Sequence, residues 1–194
     1  MTRQLLLGTF NANKATEVQA ALGNDWQVLT CRDFPLVDEV EETGTTLEAN
    51  AQLKAEAYAR ATGLPCLADD TGLEVDALDG APGVYSARYA GDQATAAMNT
   101  LKLLKDLIGK PRQARFRTVM AWAVPGENTQ LFEGVLEGEI TLSPRGEKGF
   151  GYDPIFQPKG DTRTLAEMEL AEKNAISHRG RALHAFVTWL REQG

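Results

Sequence analysis

The chain has 194 residues, 43% of them hydrophobic and 24% charged, with a formal net charge of −7. That length suffices for one domain over 1–194, or two lobes of one, with a sizeable core. The negative balance disfavours nucleic acid and anionic membrane as partners.

No apolar run approaches a membrane span and the N-terminus lacks the features of a secretory signal, so a cytoplasmic location is expected. Cys31 and Cys66 lack metal-type spacing and sit in apolar contexts, as buried free thiols in a reducing compartment do. Residues 1–100 carry 15 acids against 6 bases, and residues 101–194 carry 12 against 14. An acidic half able to hold cations beside a mildly basic half able to hold phosphate or base fits a metal–nucleotide site. Solvated surface charge produces similar asymmetries.

In chain order, Leu5-Leu6-Leu7 reads as a short buried strand. It runs into Gly8-Thr9-Phe10-Asn11-Ala12-Asn13-Lys14 and a helix with Ala15, Val18 and Leu22 on one face, stopped by Gly23. Strand, small polar turn, lysine, helix is a geometry that cradles phosphate: free N–H groups and the positive end of the helix dipole face the anion. Read alone, the segment is equally a helix capped by Asn11 or Asn13. It lacks the glycine spacing of a Walker loop.

A second strand is expected over Gln27–Cys31, then a turn at Pro35 and an acidic run, Asp38-Glu39-Val40-Glu41-Glu42. Thr45-x-x-Glu48 reads as a capping box opening a helix to Thr62, closed by Gly63. Its buried stripe is Leu47, Ala51, Ala55, Tyr58 and Ala59, with Asn50 and Lys54 on another face.

Leu64 to Ala68 reads as a buried strand ending at Asp69-Asp70-Thr71-Gly72, and Leu73, Val75 and Ala77 then alternate with polar residues. Two adjacent carboxylates at a strand terminus make either a solvated turn or a site. Their side chains point to opposite faces, so one can face a cleft and bind a hard cation while the other caps local backbone.

An amphipathic helix is expected over Asp92–Ile108, with Met98, Leu101, Leu104, Leu107 and Ile108 inward. Two long strands follow over Ala114–Val124 and Leu131–Leu142, joined at Pro125-Gly126-Glu127-Asn128. Gly149-Phe150-Gly151-Tyr152-Asp153-Pro154 spends glycines as a core strand would not, and suits the close presentation of an aromatic face to a flat ligand. Thr164-x-x-Glu167 is expected to start another helix. Glu172–Arg179 leads into a last helix with Leu183, Phe186, Val187 and Leu190 inward, Ser177 as N-cap and His184 structural. Lys173, His178 and Arg179 gather donors near that helix start, suited to an acceptor-rich ligand.

Laid out in order, TFNANK, EETGTTLEANAQLKA, LADDTGLEVDALDGAPGVYSARYAG, GFGYDPIF and EKNAISHRGRAL resemble the inosine/xanthosine triphosphate pyrophosphatase family over nearly the whole length. The resemblance implies an α/β fold, a long curved mixed β-sheet flanked by helices, with two lobes and an active-site cleft between them. It implies a homodimer that hydrolyses non-canonical purine nucleoside triphosphates to the monophosphate and pyrophosphate with Mg2+.

Carried over residue by residue, it assigns Thr9, Phe10, Asn11, Ala12, Asn13 and Lys14 to the triphosphate. Asp70 becomes proton acceptor and magnesium ligand, with Thr71 against the substrate and Glu41, of the Glu41-Glu42 pair, completing the metal site. Phe150, Gly151, Tyr152 and Asp153 would line the base and ribose pocket, and Lys173, His178 and Arg179 would contact the base. Phe10 and Asn13 stand where the family's loop usually has glycines, and Thr71 where serine is more common. Two rival readings are a nucleotide-binding regulator without turnover, against which the paired carboxylates argue, and a related pyrophosphatase acting on modified pyrimidine or methylated nucleotides, for which GFGYDP and SHR are the wrong motifs.

Overall fold

A computed structural model describes residues 2–193, apart from the side chains of Ala12 and Asn13. Its strands are β1 (Arg3–Leu7), β2 (Trp26–Thr30), β3 (Cys66–Val75), β4 (Pro82–Gly83), β5 (Gln113–Ala123), β6 (Gln130–Ile140) and β7 (Phe156–Pro158). Its α-helices are α1 (Ala12–Leu22), α2 (Leu47–Thr62), α3 (Ala96–Asp106), α4 (Leu170–Ile176) and α5 (His178–Glu192). The strands form a mixed open sheet in the order β2-β1-β3-β5-β6-β7, with β4 on β3. β1 is parallel to β2 and β3, while the β3–β4 and β6–β7 pairs are antiparallel. The α/β class with a mixed sheet is thus as expected.

Two compact units divide the chain. The first comprises Met1–Asp70, Thr118–Gly134 and Arg181–Gly194; the second comprises Thr71–Arg117 and Val135–Gly180.

In the first unit, Leu5, Val18, Leu67, Trp122, Leu183 and Phe186 belong to one buried cluster. Phe186 packs its ring 5.2 Å from Trp122 and 5.4 Å from Phe132, centroid to centroid. α1 ends as expected at Gly23, in the left-handed region at φ 76°. Edge strand β2 is tied to α1 by Gln19, whose amide donates to the Gly23 and Trp26 carbonyls and accepts from Val28 N–H at 2.9 Å. A backbone donor otherwise open to a stray strand is thereby satisfied. The expected stripe of α2 is buried. Its cap, however, is Thr46 rather than Thr45: the Thr46 hydroxyl accepts from Ala49 N–H at 3.1 Å. Cys31 and Cys66 are buried free thiols, and burial pushes both pKa values up.

Strand β3 corrects the sequence reading most. Asp69-Asp70-Thr71-Gly72 is no turn: the strand continues through it to Val75. Gly72 serves close approach, since a Cβ there would sit 2.5 Å from the Gly83 carbonyl oxygen on β4.

In the second unit, Leu73, Leu103, Leu107, Phe116, Ile140 and Phe156 build the core. α3 starts at Ala96 behind Thr95, and its inward residues are Asn99, Thr100 and Leu103. Met98, Leu101 and Ile108 are exposed, contrary to expectation. The cause is Asn99, whose side chain turns inward to accept from Ala90 N–H at 2.7 Å and donate to Ala87 O at 3.0 Å. Satisfying those backbone groups outweighs burying the apolar stripe. Thr164 and Glu167 do form a capping box, but around a single 3-10 turn, Leu165–Glu167, and the next α-helix begins at Leu170. Ser177 caps α5 as expected, accepting from Gly180 N–H at 2.9 Å. His184 is exposed on that helix.

Truncating a large buried aromatic typically costs about 3–5 kcal/mol, and Phe186 is fully buried. Phe186→Ala is therefore expected to lower the thermal midpoint by roughly 10 °C. Thermal unfolding followed by far-UV circular dichroism checks this; a shift within about 2 °C would mean Phe186 does not hold the cluster together.

Candidate active site

Consecutive strand residues face opposite sides, and in β3 this sends two buried carboxylates to two different helices. Asp69 is 8% exposed and Asp70 is 9% exposed. Asp69 accepts from the Lys14 ammonium through both oxygens, at 3.0 and 2.9 Å. Asp69 thus orients a lysine at the start of α1, where a cap on local backbone was expected. Asp70 Oδ1 lies 4.0 Å from Lys54 Nζ on α2. The same ammonium donates to Glu42 Oε1 at 2.5 Å.

These five side chains, all of the first unit, carry three carboxylates against two ammoniums and leave one net negative charge. Among the described residues no three His, Cys, Asp or Glu side chains form a metal cluster. The chain's own offer to a cation is therefore two carboxylates, Glu42 and Asp70, converging on one cationic group. That donor set suits magnesium, a hard ion that keeps several waters and takes one or two carboxylates plus phosphate oxygens. Of the Glu41-Glu42 pair, Glu41, expected at the metal, has an exposed side chain, and Glu42 is the acid that shares Lys54 with Asp70.

The phosphate-loop residues enter α1 through a tight corner. Gly8 is required there, because a Cβ would lie 2.9 Å from both the Ala68 methyl and the Tyr58 ring. Thr9 Oγ1 accepts from Asn11 N–H at 3.1 Å, and Thr9 O accepts from Cys31 N–H at 3.1 Å. Phe10 needs no left-handed backbone: among the described residues Asp79 is the non-glycine with positive φ. The loop thus dispenses with a glycine at position 10. The Ala12 and Asn13 side chains lie outside the described residues.

The second unit holds the other expected residues. Gly149 and Gly151 have φ of 78° and 60°, and between them Phe150 is 74% exposed. Asp153, 3% exposed, supports this loop from beneath: it accepts from Phe150 N–H at 2.9 Å and from the Lys173 ammonium. A Cβ on Gly149 would strike the same carboxylate at 2.1 Å. Lys173 Nζ in turn lies 4.6 Å from the Phe150 ring centroid, a cation–π distance. Tyr152 is buried, donating its hydroxyl to Ser86 O at 2.7 Å, and burial raises its pKa. Its side chain is a strut of the loop.

His178 stacks on Phe116, centroids 5.1 Å apart and planes at 18°, and Arg179, partly buried, follows it in the first turn of α5. Thr71 follows Asp70 along β3.

Three participants went unread in the sequence. In the sequence Lys54 reads only as a neighbour of Asn50 on α2. Its signal was its spacing, four residues from both Asn50 and the buried Tyr58. The partnership of Asp69 with Lys14, 55 residues away, and the Phe116 ring beneath His178 have no local signal.

Replacing one member of a largely buried ion pair leaves the other charge poorly solvated. A double-mutant cycle of Lys14→Met and Asp69→Asn is expected to show a coupling of about 1–3 kcal/mol. Urea unfolding of the four proteins measures it; additive effects would mean that the two side chains do not hold each other.

The chain matches the Ham1 family model over residues 5–189. It is 50% identical to a dITP/XTP pyrophosphatase of Geobacter sulfurreducens, covering 100% of this chain and 99% of that protein. It is 51% identical to one of Deinococcus deserti, covering 94% and 87%. Among solved structures it resembles a HAM1 protein from Coxiella burnetii, with a TM-score of 0.93, 43% identity, and 98% and 99% of the two chains covered. The Staphylococcus aureus Ham1 protein gives a TM-score of 0.94 at 39% identity, covering 99% and 100%. A likeness of this extent leaves one assignment: the chain belongs to the Ham1 family.

Proposed function

We propose that this protein is a nucleoside triphosphate pyrophosphatase of the house-cleaning type. It hydrolyses ITP, XTP and their deoxy forms to the monophosphate and pyrophosphate. The observation that carries the reading is the pair of buried carboxylates on β3, each against a lysine, in a chain about half identical over its length to dITP/XTP pyrophosphatases.

In this reading Asp70 accepts a proton from the water that attacks the α-phosphorus, while the bond to the β-phosphate oxygen breaks and pyrophosphate departs. Phosphoryl transfer is catalysed mainly by positioning and by neutralising charge on phosphate oxygens. Lys14, aimed by Asp69, supplies one fixed positive charge, and the first turn of α1 adds the N–H groups and dipole of a helix start. Magnesium held by Glu42 and Asp70 would supply further neutralisation when bound.

Phe150 offers its exposed ring as a stacking platform, stiffened by Asp153 and backed by Lys173. His178 and Arg179 are donors. Hypoxanthine and xanthine present a 6-oxo acceptor where adenine has a 6-amino donor, so adenine would leave those donors unmatched, a penalty that discriminates strongly.

The direct test is pyrophosphate release from ITP, XTP, GTP and ATP, with magnesium and with chelator. Release is expected from ITP and XTP in preference to ATP, and only with the metal. Asp70→Asn should lower kcat by about 10²–10⁴-fold, the usual loss on removing a general base; turnover near wild type would make Asp70 a ligand or strut alone. Arg179→Ala should cost ITP far more kcat/KM than ATP. If the mutant keeps its full preference for inosine, base selection lies elsewhere.

A further inference from the structure

Between Asp38 and Thr45 the chain has no regular secondary structure, yet three alternate residues there are tied to one face of α2. Val40 N–H donates to the Tyr58 hydroxyl at 3.2 Å. Glu42 Oε1 accepts from Lys54 at 2.5 Å. Gly44 N–H donates to Asn50 Oδ1 at 2.7 Å. The loop advances by two residues while the helix recedes by four.

Those steps match in length. Two residues of extended chain span about 6.6 Å, and four residues of α-helix rise about 6 Å. A segment laid antiparallel along the helix therefore stays in register for three rungs. Burial alternates along the segment: Val40, Glu42 and Gly44 are partly covered, whereas Glu41 and Thr43 are exposed.

The outer rungs are built into the interior. Asn50 is 1% exposed and Tyr58 2%. Gly44 sits so close that a Cβ would lie 2.5 Å from Asn50 Oδ1 and 2.9 Å from the Ala49 methyl. The middle rung is the exceptional one, because Lys54 also approaches Asp70. Outer rungs that join backbone N–H groups to buried side chains fix the path of the loop whatever the middle rung binds.

We propose that Asn50 and Tyr58 are positioning residues of the metal site: they dock the loop on α2 and thereby hold the Glu42 carboxylate where it can act with Asp70. The proposal rests on the reading that Glu42 and Asp70 hold the cation.

The experiment compares Tyr58→Phe, which keeps the ring and removes only the hydroxyl, with Asn50→Leu, Asn50→Asp and Glu42→Gln. Mn2+ binding is read by electron paramagnetic resonance, independently of turnover, and the Mg2+ concentration for half-maximal pyrophosphate release is read beside it. Tyr58→Phe and Asn50→Leu should each weaken Mn2+ binding and raise the Mg2+ requirement about fivefold, the worth of one hydrogen bond. Turnover at saturating metal should return toward wild type. Asn50→Asp, which keeps the acceptor oxygen, should restore metal binding, and Glu42→Gln should weaken it more than either outer-rung variant. Wild-type Mn2+ binding in folded Tyr58→Phe, with Glu42→Gln impaired, overturns the docking role. If Asn50→Leu does not fold, Tyr58→Phe alone decides. Wild-type binding in Glu42→Gln defeats the metal reading itself, and the proposal falls with it.

Discussion

Two adjacent carboxylates buried in one strand are the constraint on which the rest depends. A carboxylate at 8–9% exposure loses much of its hydration, and burial without a partner would cost several kcal/mol or force protonation. Each therefore needs a cation, and because β3 alternates, the two cations come from different elements. Lys14 at the start of α1 answers Asp69, and Lys54 in the middle of α2 answers Asp70. The requirement fixes more than charge. It places the start of α1 near the strand and brings a third carboxylate, Glu42, to the lysine that faces Asp70.

The second unit solves a parallel problem with the opposite outcome. Its buried carboxylate, Asp153, spends both its acceptor capacity and its charge on the loop around it, through Phe150 N–H and Lys173. What results is an exposed aromatic ring on a loop held from beneath, between Gly149 and Gly151 in left-handed backbone conformations that other residues rarely adopt. Rigid presentation of a large apolar face costs burial that a folding chain would otherwise take. Tyr152 and the Phe116–His178 stack show the neighbouring aromatics doing the reverse, packed against the core.

Polar satisfaction also explains where pattern reading fails. From Met98 to Ile108 five apolar residues fall at helical spacing, a stripe that would ordinarily face inward; Leu104 and Leu107 do pack on the core, but Met98, Leu101 and Ile108 stay exposed. Asn99 prevails because the Ala87 and Ala90 backbone groups have to be paired once covered, and a buried unpaired donor costs more than an exposed leucine gains. The continuation of β3 through Asp69–Gly72 follows the same logic. Acid, acid, threonine, glycine is turn chemistry taken locally, but the segment lies inside one strand of the sheet, with β1 paired before it at Cys66 and Leu67 and β4 after it at Leu73 and Glu74.

Read alone, the sequence carried the order of the main strands and helices, the stripe of α2, the Ser177 cap and the exposed Phe150, because periodicity, capping and glycine use are local signals; its α/β class came through the family resemblance. It also carried the five motifs that mark the family. Folding in three dimensions settles which acid of Glu41-Glu42 turns inward, that Lys14 belongs to Asp69, that Lys54 stands at the carboxylates, and which face of α3 is buried. Those outcomes turn on partners 9 to 55 residues distant and on which buried polar group must be satisfied. Neither leaves a trace in local spacing.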